Sequence, residues 1–270
     1  MTVVANSPSV DEARGHAPFC NAPLGADVTP ADMIGPQSTW RAIPRSLPAM
    51  CNLYSVTKGQ QAIREAAAAM RDLTGNLPLL RGVFPDYSAP IVRSGKDGER
   101  ELTMARWGMP SPAFALTGRN SDPGVTNVRN VASPHWRRWL GVESRCVVPF
   151  TSFSENEALP DGSHPPVWFA LDDGRPLAFF AGIWTRWTSV RKVKEGETTN
   201  DLFAFLTTEP NAVVKPIHSK AMPVILTGRE QIETWLSAPN PEALKLQRPL
   251  PDDALRIVAR GKRDDGPSTL

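Results

Sequence analysis

Short apolar runs broken by Gly, Asp and Pro fill most of the chain after residue 88, and no long strand-helix alternation accompanies them. APIVRSGKDGERELTMARWG reads as a hairpin turning at Gly95–Gly98, and PVWFALDDGRPLAFFAGIW as a second turning at Asp173-Gly174. RCVVPF, DLFAFLTT, MPVILT and LRIVAR supply further short strands. A doubly wound parallel sheet needs long helices between its strands, so this pattern predicts an α+β fold: a largely antiparallel, barrel-like sheet with peripheral helices. The helices are few. Ile63, Ala66, Ala67 and Met70 recur at helical spacing between a predicted N-cap at Thr57 and a stop at Gly75. Ser133-Pro134 opens a second helix, and Thr227-Gly228-Arg229-Glu230 predicts a capping box ahead of Ile232, Trp235 and Leu236.

Residues 1–49 differ in character, holding seven of the 27 prolines, few charges and no sustained period of 2 or 3.6. Such a segment cannot offset its ordering entropy by burying a face. The predicted organisation is a flexible Pro-rich leader, or upstream sequence translated in error, over 1–49, and a single domain over 50–270. Cys20, Cys51 and Cys146 are odd in number and form no C-x-x-C pair, which argues against a disulfide framework or zinc site and for a reducing cytoplasm. No signal-peptide pattern opens the chain, and the apolar run near Leu177–Trp184 falls far short of the ~20 residues a membrane helix needs. Phosphate loops, dinucleotide fingerprints and H-E-x-x-H are absent, so no metal or organic cofactor is implied.

A formal charge of +2 over 270 residues is too mild to mark a nucleic-acid binder. Its distribution is more informative. Between Leu102 and Val148, Arg106, Arg119, Arg129, Arg137, Arg138 and Arg145 face only Asp122 and Glu143, a local excess of +4.

AMCNLYS places a Met50-Cys51 pair, the form of a start site whose Met is trimmed, well inside the chain. An interior Cys51 is a small hydrophobe with an unreactive amide nitrogen. A terminal Cys51 would carry an amine with a reference pKa near ~8 beside a thiol near ~8.5. That pair can condense with an aldehyde to an imine and then close a thiazolidine ring, an intramolecular step with an entropic advantage.

Other chemistry-bearing residues are scattered. In TNVRN, Asn127 and Arg129 share a face if the segment is a strand, and they suit a polar reactant and a phosphate; a polar turn is the alternative. RCVVPFTSFSENE runs from an apolar strand into Glu155 and Glu157, either of which could act as an acid-base group or remain a solvated carboxylate. His218 precedes an apolar strand with Lys215 and Lys220 nearby, either a proton shuttle or a core-edge histidine. Trp107 and Phe114 could stack on bases, with core packing the competing role for Trp107.

Taken together, Met50-Cys51, a following helix, Trp107-Gly108, Asn127-x-Arg129, a strand leading to Glu155, and His218 before a Met-Pro-hydrophobic strand resemble the SRAP (SOS response-associated peptidase) family over roughly residues 50–236. The resemblance implies recognition of abasic sites in single-stranded DNA and a covalent crosslink through Cys51 as the mature first residue. It assigns Asn127 to positioning the reacting end, Glu155 to acid-base work and His218 to sugar opening and imine formation. It assigns Arg129 to a DNA phosphate, Pro85 to an apolar DNA-facing wedge and Phe114 to a place that others fill with Trp. Met50 is then the expected true start, removed by methionine aminopeptidase or by self-processing, the trimming that the family's name reflects. Leu53 replaces an Arg common in the family, Val131 replaces a carboxylate, and the His218–Pro223 spacing is one residue longer than usual.

The expected protein is therefore a cytoplasmic monomer, associated with the nucleoid when bound to DNA. Two other classes fit the same residues: a cysteine peptidase using Cys51, His218 and Glu155 on outside substrates, and a non-catalytic single-strand binder.

Overall fold

The computed structural model describes residues 51–265, so the expectations for the 1–49 leader and for Met50 lie outside the described residues. Among the described residues, fourteen strands form two sheets, and five short helices sit around them. The strands are β1 (Leu53–Val56), β2 (Arg71–Asp72), β3 (Leu80–Val83), β4 (Ser88–Ser94), β5 (Arg100–Trp107), β6 (Asn127–Val128) and β7 (Arg145–Phe150). They continue as β8 (Ser152–Asn156), β9 (Pro166–Ala170), β10 (Ala178–Val190), β11 (Glu197–Thr208), β12 (Met222–Pro223), β13 (Ile225–Leu226) and β14 (Arg256–Arg260). The helices are α1 (Gln60–Ala67), α2 (Ala113–Leu116), α3 (Pro134–Arg137), α4 (Arg229–Ser237) and α5 (Asn240–Ala243).

Five strands close a barrel. β5, β4, β7, β10 and β11 pair antiparallel in that order, and β11 returns to β5 in parallel at Leu202↔Arg106 and Phe203↔Trp107. Closure removes the free edges that a five-stranded sheet would otherwise expose. The second sheet is open, in the order β14-β9-β8-β1-β3. Only Thr151 separates β7 from β8, so the chain steps from barrel to open sheet in one residue, with the Thr151 N–H donating to Ser55 O at 2.7 Å. The α+β, barrel-like architecture predicted from the strand pattern is the one observed.

Aromatic side chains weld the two sheets. Phe150 and Phe180 stack with centroids 3.9 Å apart, and Tyr54 from β1 sets its ring edge-on to Trp107 at 5.1 Å and Phe180 at 5.7 Å. Burying each ring contributes about 2–3 kcal/mol, and each well-oriented pair about 1 kcal/mol more. The Tyr54 hydroxyl is fully enclosed and finds no hydrogen-bond partner among the described residues. An unmade bond of this kind costs about 1–3 kcal/mol. Tyr54→Phe is therefore expected to raise stability by about 1 kcal/mol in denaturant unfolding; a loss of stability would mean that the hydroxyl is bonded in solution.

Local expectations fared unevenly. The Gly95–Gly98 hairpin forms, with the Gly95 N–H donating to Glu99 O at 2.7 Å. The predicted hairpin at Asp173-Gly174 does not. The turn is real, but β9 pairs with β8 and β14 while β10 pairs with β7, β11 and β13, so it links the two sheets instead. Both flanks are buried on both faces, a pattern that marks core strands without naming their partners. Helix α1 starts three residues after Thr57, with Gly59 at its N-cap; Thr57 instead bonds Thr151. It ends at Ala68, leaving Met70 exposed. At α4 the reach-back comes from Gln231, which accepts the Thr227 N–H at 2.8 Å, while Gly228 is the N-cap in place of the predicted Thr227–Glu230 box.

Candidate functional site

The register of β1 and β8 places Leu53 opposite Ser154, which brings Cys51 and Glu155 together at one end of the open sheet. The Cys51 amide N–H donates to the Glu155 carboxyl. Residues 2% and 3% exposed, respectively, they meet in a desolvated spot. Asn127 arrives from the barrel side. It lies in β6, which pairs in parallel with β11 at Phe205, and its Nδ2 donates to Cys51 O at 3.0 Å and Thr126 Oγ1 at 2.9 Å. His218 ends a turn after β11 whose N–H bonds run back to Asn211 and Val214, and its Nδ1 stands 3.2 Å from Glu155 Oε2. Four residues singled out from the sequence thus occupy one place, at the seam of the two sheets.

The polar contacts converge on the backbone of Cys51. Its amide nitrogen meets Glu155 and its carbonyl meets Asn127, while its Sγ lies 3.8 Å from Leu53 O and within reach of the backbone of Ser154. Burial pushes the Cys51 thiol well up from its ordinary range, with the nearby Glu155 adding to the effect. Burial also pushes Glu155 well up, against the Cys51 N–H that pulls it down, and lowers His218, with Lys220 contributing. Burial thus works toward the neutral form of each of the three groups, and Glu155 and His218 share one hydrogen bond.

Because the Glu155 pKa is raised on folding, its contribution to stability is greatest below the unfolded value near ~4.3 and is lost as pH rises toward the folded value. Glu155→Gln preserves an acceptor for Cys51 N–H and a donor for His218. Its melting temperature is expected to exceed that of the parent at pH 8, with the difference vanishing near pH 4. A variant that melts lower at pH 8 would contradict the raised pKa.

The sequence-derived DNA contacts divide. Arg129 is exposed at the mouth of the site, with only a loose ion pair to Glu209 at 3.5 Å. Phe114, in α2, is 83% exposed, and Pro85 sits in the turn between β3 and β4 beside the exposed Tyr87. Trp107 is a correction. It is wholly buried, stacks on Phe205 with centroids 5.3 Å apart, and donates its Nε1–H to Thr126 O, so it offers no face to a base. The basic stretch also shrinks: Arg106 is bound to Asp86 and Glu195, and Arg145 is buried among carbonyls, leaving Arg119, Arg129, Arg137 and Arg138 exposed.

Two further features were not read from the sequence. Thr207, two residues beyond Phe205 on β11 and so on the same face, is buried with a hydroxyl that has no partner among the described residues; that i, i+2 relation was the signal that could have found it. Arg191 threads between Gly108 and Gly124, donating to Gly108 O at 2.9 Å and Pro123 O at 3.3 Å and pairing with Asp86 at 3.1 Å. A Cβ at either glycine would come within 2.5 Å of the guanidinium. Nothing in local sequence pattern signals a contact across that distance. Among the described residues no cluster of three or more His, Cys, Asp or Glu could hold a metal ion, and no helix is long and apolar enough to cross a membrane.

The profile of the SOS response associated peptidase (SRAP) family matches residues 50–262. The chain belongs to the SRAP family. A crystal structure of a protein from Bordetella bronchiseptica is similar at 25% identity and a TM-score of 0.59, covering 78% of this chain and 98% of that one. One from Bacteroides thetaiotaomicron shares the fold at 22% identity and a TM-score of 0.60, covering 76% and 90%. A phage-related protein from Bordetella bronchiseptica does so at 19% identity and a TM-score of 0.56, covering 76% and 92%. Comparison with curated proteins gives no match. The SRAP match begins at Met50, immediately before the cysteine on which the site converges.

Proposed function

We propose that this SRAP protein senses abasic sites in single-stranded DNA and captures them covalently through Cys51 once Cys51 is its first residue. The observation that carries the proposal is the hydrogen bond from the nitrogen of Cys51, the atom that would become its amine, to Glu155. In this reading the freed α-amine attacks the aldehyde of the opened sugar, and water leaves to give an imine. The thiol then adds across the C=N bond, sulfur joining carbon and its proton passing to nitrogen, which closes a thiazolidine. Glu155 and His218 exchange the protons of the dehydration, Asn127 fixes the Cys51 carbonyl, and Arg129 holds a backbone phosphate. Phe114 and Pro85 present apolar surface to the strand.

The same geometry favours release of Cys51. Hydrolysis of the Met50–Cys51 bond needs a proton on the departing nitrogen, and the carboxyl already bonded to that nitrogen is one whose pKa burial pushes up, toward the form that can give a proton. A cysteine peptidase acting on outside substrates would instead need a base on Sγ; His218 contacts Glu155 and not the thiol. The protein is proposed to act as a monomer and to join the nucleoid through the strands it binds.

Incubating the full chain and a chain beginning at Cys51 with abasic single-stranded DNA tests the proposal on a denaturing gel. The expected result is a slowed covalent band for the chain beginning at Cys51, and for the full chain only in proportion to its cleavage at Met50. A band of equal yield on a chain that mass spectrometry shows to be uncut would refute the amine's role. Binding should weaken as salt rises, since each phosphate contact releases counterions.

A further inference from the structure

The far arm of β10 carries a second surface, roughly 17 Å from the seam. Trp187 pairs with Asn200, five residues along β11 from the Phe205 that adjoins Asn127, and each strand residue advances about 3.4 Å. Trp187 is 37% exposed. It forms one wall of a cleft of about 300 Å³ lined also by Pro110, Leu116, Arg119, Asp122 and Ser189. On its other side it meets Trp139 edge-on at 6.1 Å, and the exposed Arg138 lays its guanidinium over both rings, 3.9 Å from Trp139 and 5.6 Å from Trp187.

The charge here is one-sided. Asp122, the only carboxylate in the cleft lining, is buried and occupied in accepting the Ser111 and Gly124 N–H groups. Arg119 and Arg138 are exposed and enter no ion pair among the described residues. The Ser189 hydroxyl, buried at the cleft, has no partner among the described residues. A part-exposed indole and two guanidiniums without a carboxylate partner among the described residues match the base-and-phosphate repeat of an unpaired strand, since every base offers a π-face and every linkage an anion. A duplex keeps its bases stacked inside and cannot use the indole in this way.

We propose that this cleft is a second subsite for single-stranded nucleic acid, in which a base stacks on Trp187 while Arg119 and Arg138 hold the flanking phosphates. It deepens the proposed function, on which the identity of the strand rests, by giving that strand a footing several nucleotides from Cys51.

The test measures fluorescence anisotropy of the full chain with undamaged oligothymidylates of about fifteen and about four nucleotides. Trp187→Ala is expected to weaken binding of the longer strand by about five- to a hundredfold and to leave the shorter one unchanged. Arg119→Glu, on an exposed side chain that does not bear on folding, should weaken the longer strand and flatten its salt slope by about one. Parent-like binding of the longer strand by both variants would overturn the proposal. So would equal losses on the two lengths, or tighter binding of duplex than of single strand. Undamaged DNA involves no chemistry at Cys51, so failure of the crosslinking proposal and failure of this one are read separately.

Discussion

In a chain that begins at residue 51, Cys51→Ser is expected to lower the yield of heat-stable adduct with abasic DNA on the order of a hundredfold or more while retaining an imine that borohydride can trap. Serine keeps the α-amine and its contacts with Glu155 and Asn127, which lie on the backbone of residue 51 and not on its side chain. It loses only the sulfur that closes the ring, and ring closure is the intramolecular step that makes the adduct persist. The measurement is a denaturing gel run with and without reductant. If reductive trapping fell as far as the heat-stable band, the thiol would act first and the amine-led order would be wrong. Acetylating the amine of the parent should abolish both bands.

Arg145→Met is expected to destabilise the protein by about 3–5 kcal/mol, lowering the melting temperature by about 10 °C. The Arg145 Nε donates to Leu140 O at 2.9 Å, and one terminal nitrogen to Trp235 O at 2.9 Å and Ala238 O at 2.6 Å, while the other donates to the Asn240 side chain. Methionine fills the space but strands those acceptors away from water. Arg145 lies on β7 of the barrel, and its partners include the end of α4 and the start of α5, so the same bonds dock the helices. Calorimetry of the variant checks the figure. A fall of only about 2 °C would mean that water replaces the guanidinium freely.

The strand content was legible because it depends on local pattern, and the four residues gathered at the seam because their order along the chain resembles that of the SRAP family. Short apolar runs such as DLFAFLTT declare themselves as strands; Cys51, Asn127 and Glu155 lie in or beside short strands, and His218 in the turn between β11 and β12. Pairing was not legible. The turn at Asp173-Gly174 has hairpin chemistry, yet its flanks join different sheets, because turn residues fix a change of direction and leave the choice of partner to the core. The same limit misplaced Trp107: an aromatic beside glycine suits an exposed ledge as well as a core, and only the parallel closure of β5 on β11 encloses it. Arginines were the hardest to read, since Arg106, Arg145 and Arg191 lie within or beside the structure that a charge count assigns to its surface.

The guanidinium lodged between Gly108 and Gly124 gives three loops a common anchorage. Through Asp86 it holds the bend that bears Pro85, through Gly108 the exit of β5, and through Pro123 the approach to Asn127. Their tips are therefore free to vary in shape and composition while their roots are not. Grafted loops that keep the two glycines and the aspartate should inherit the spacing between Pro85 and Asn127; loops that lack them should lose it, however well their tips are designed.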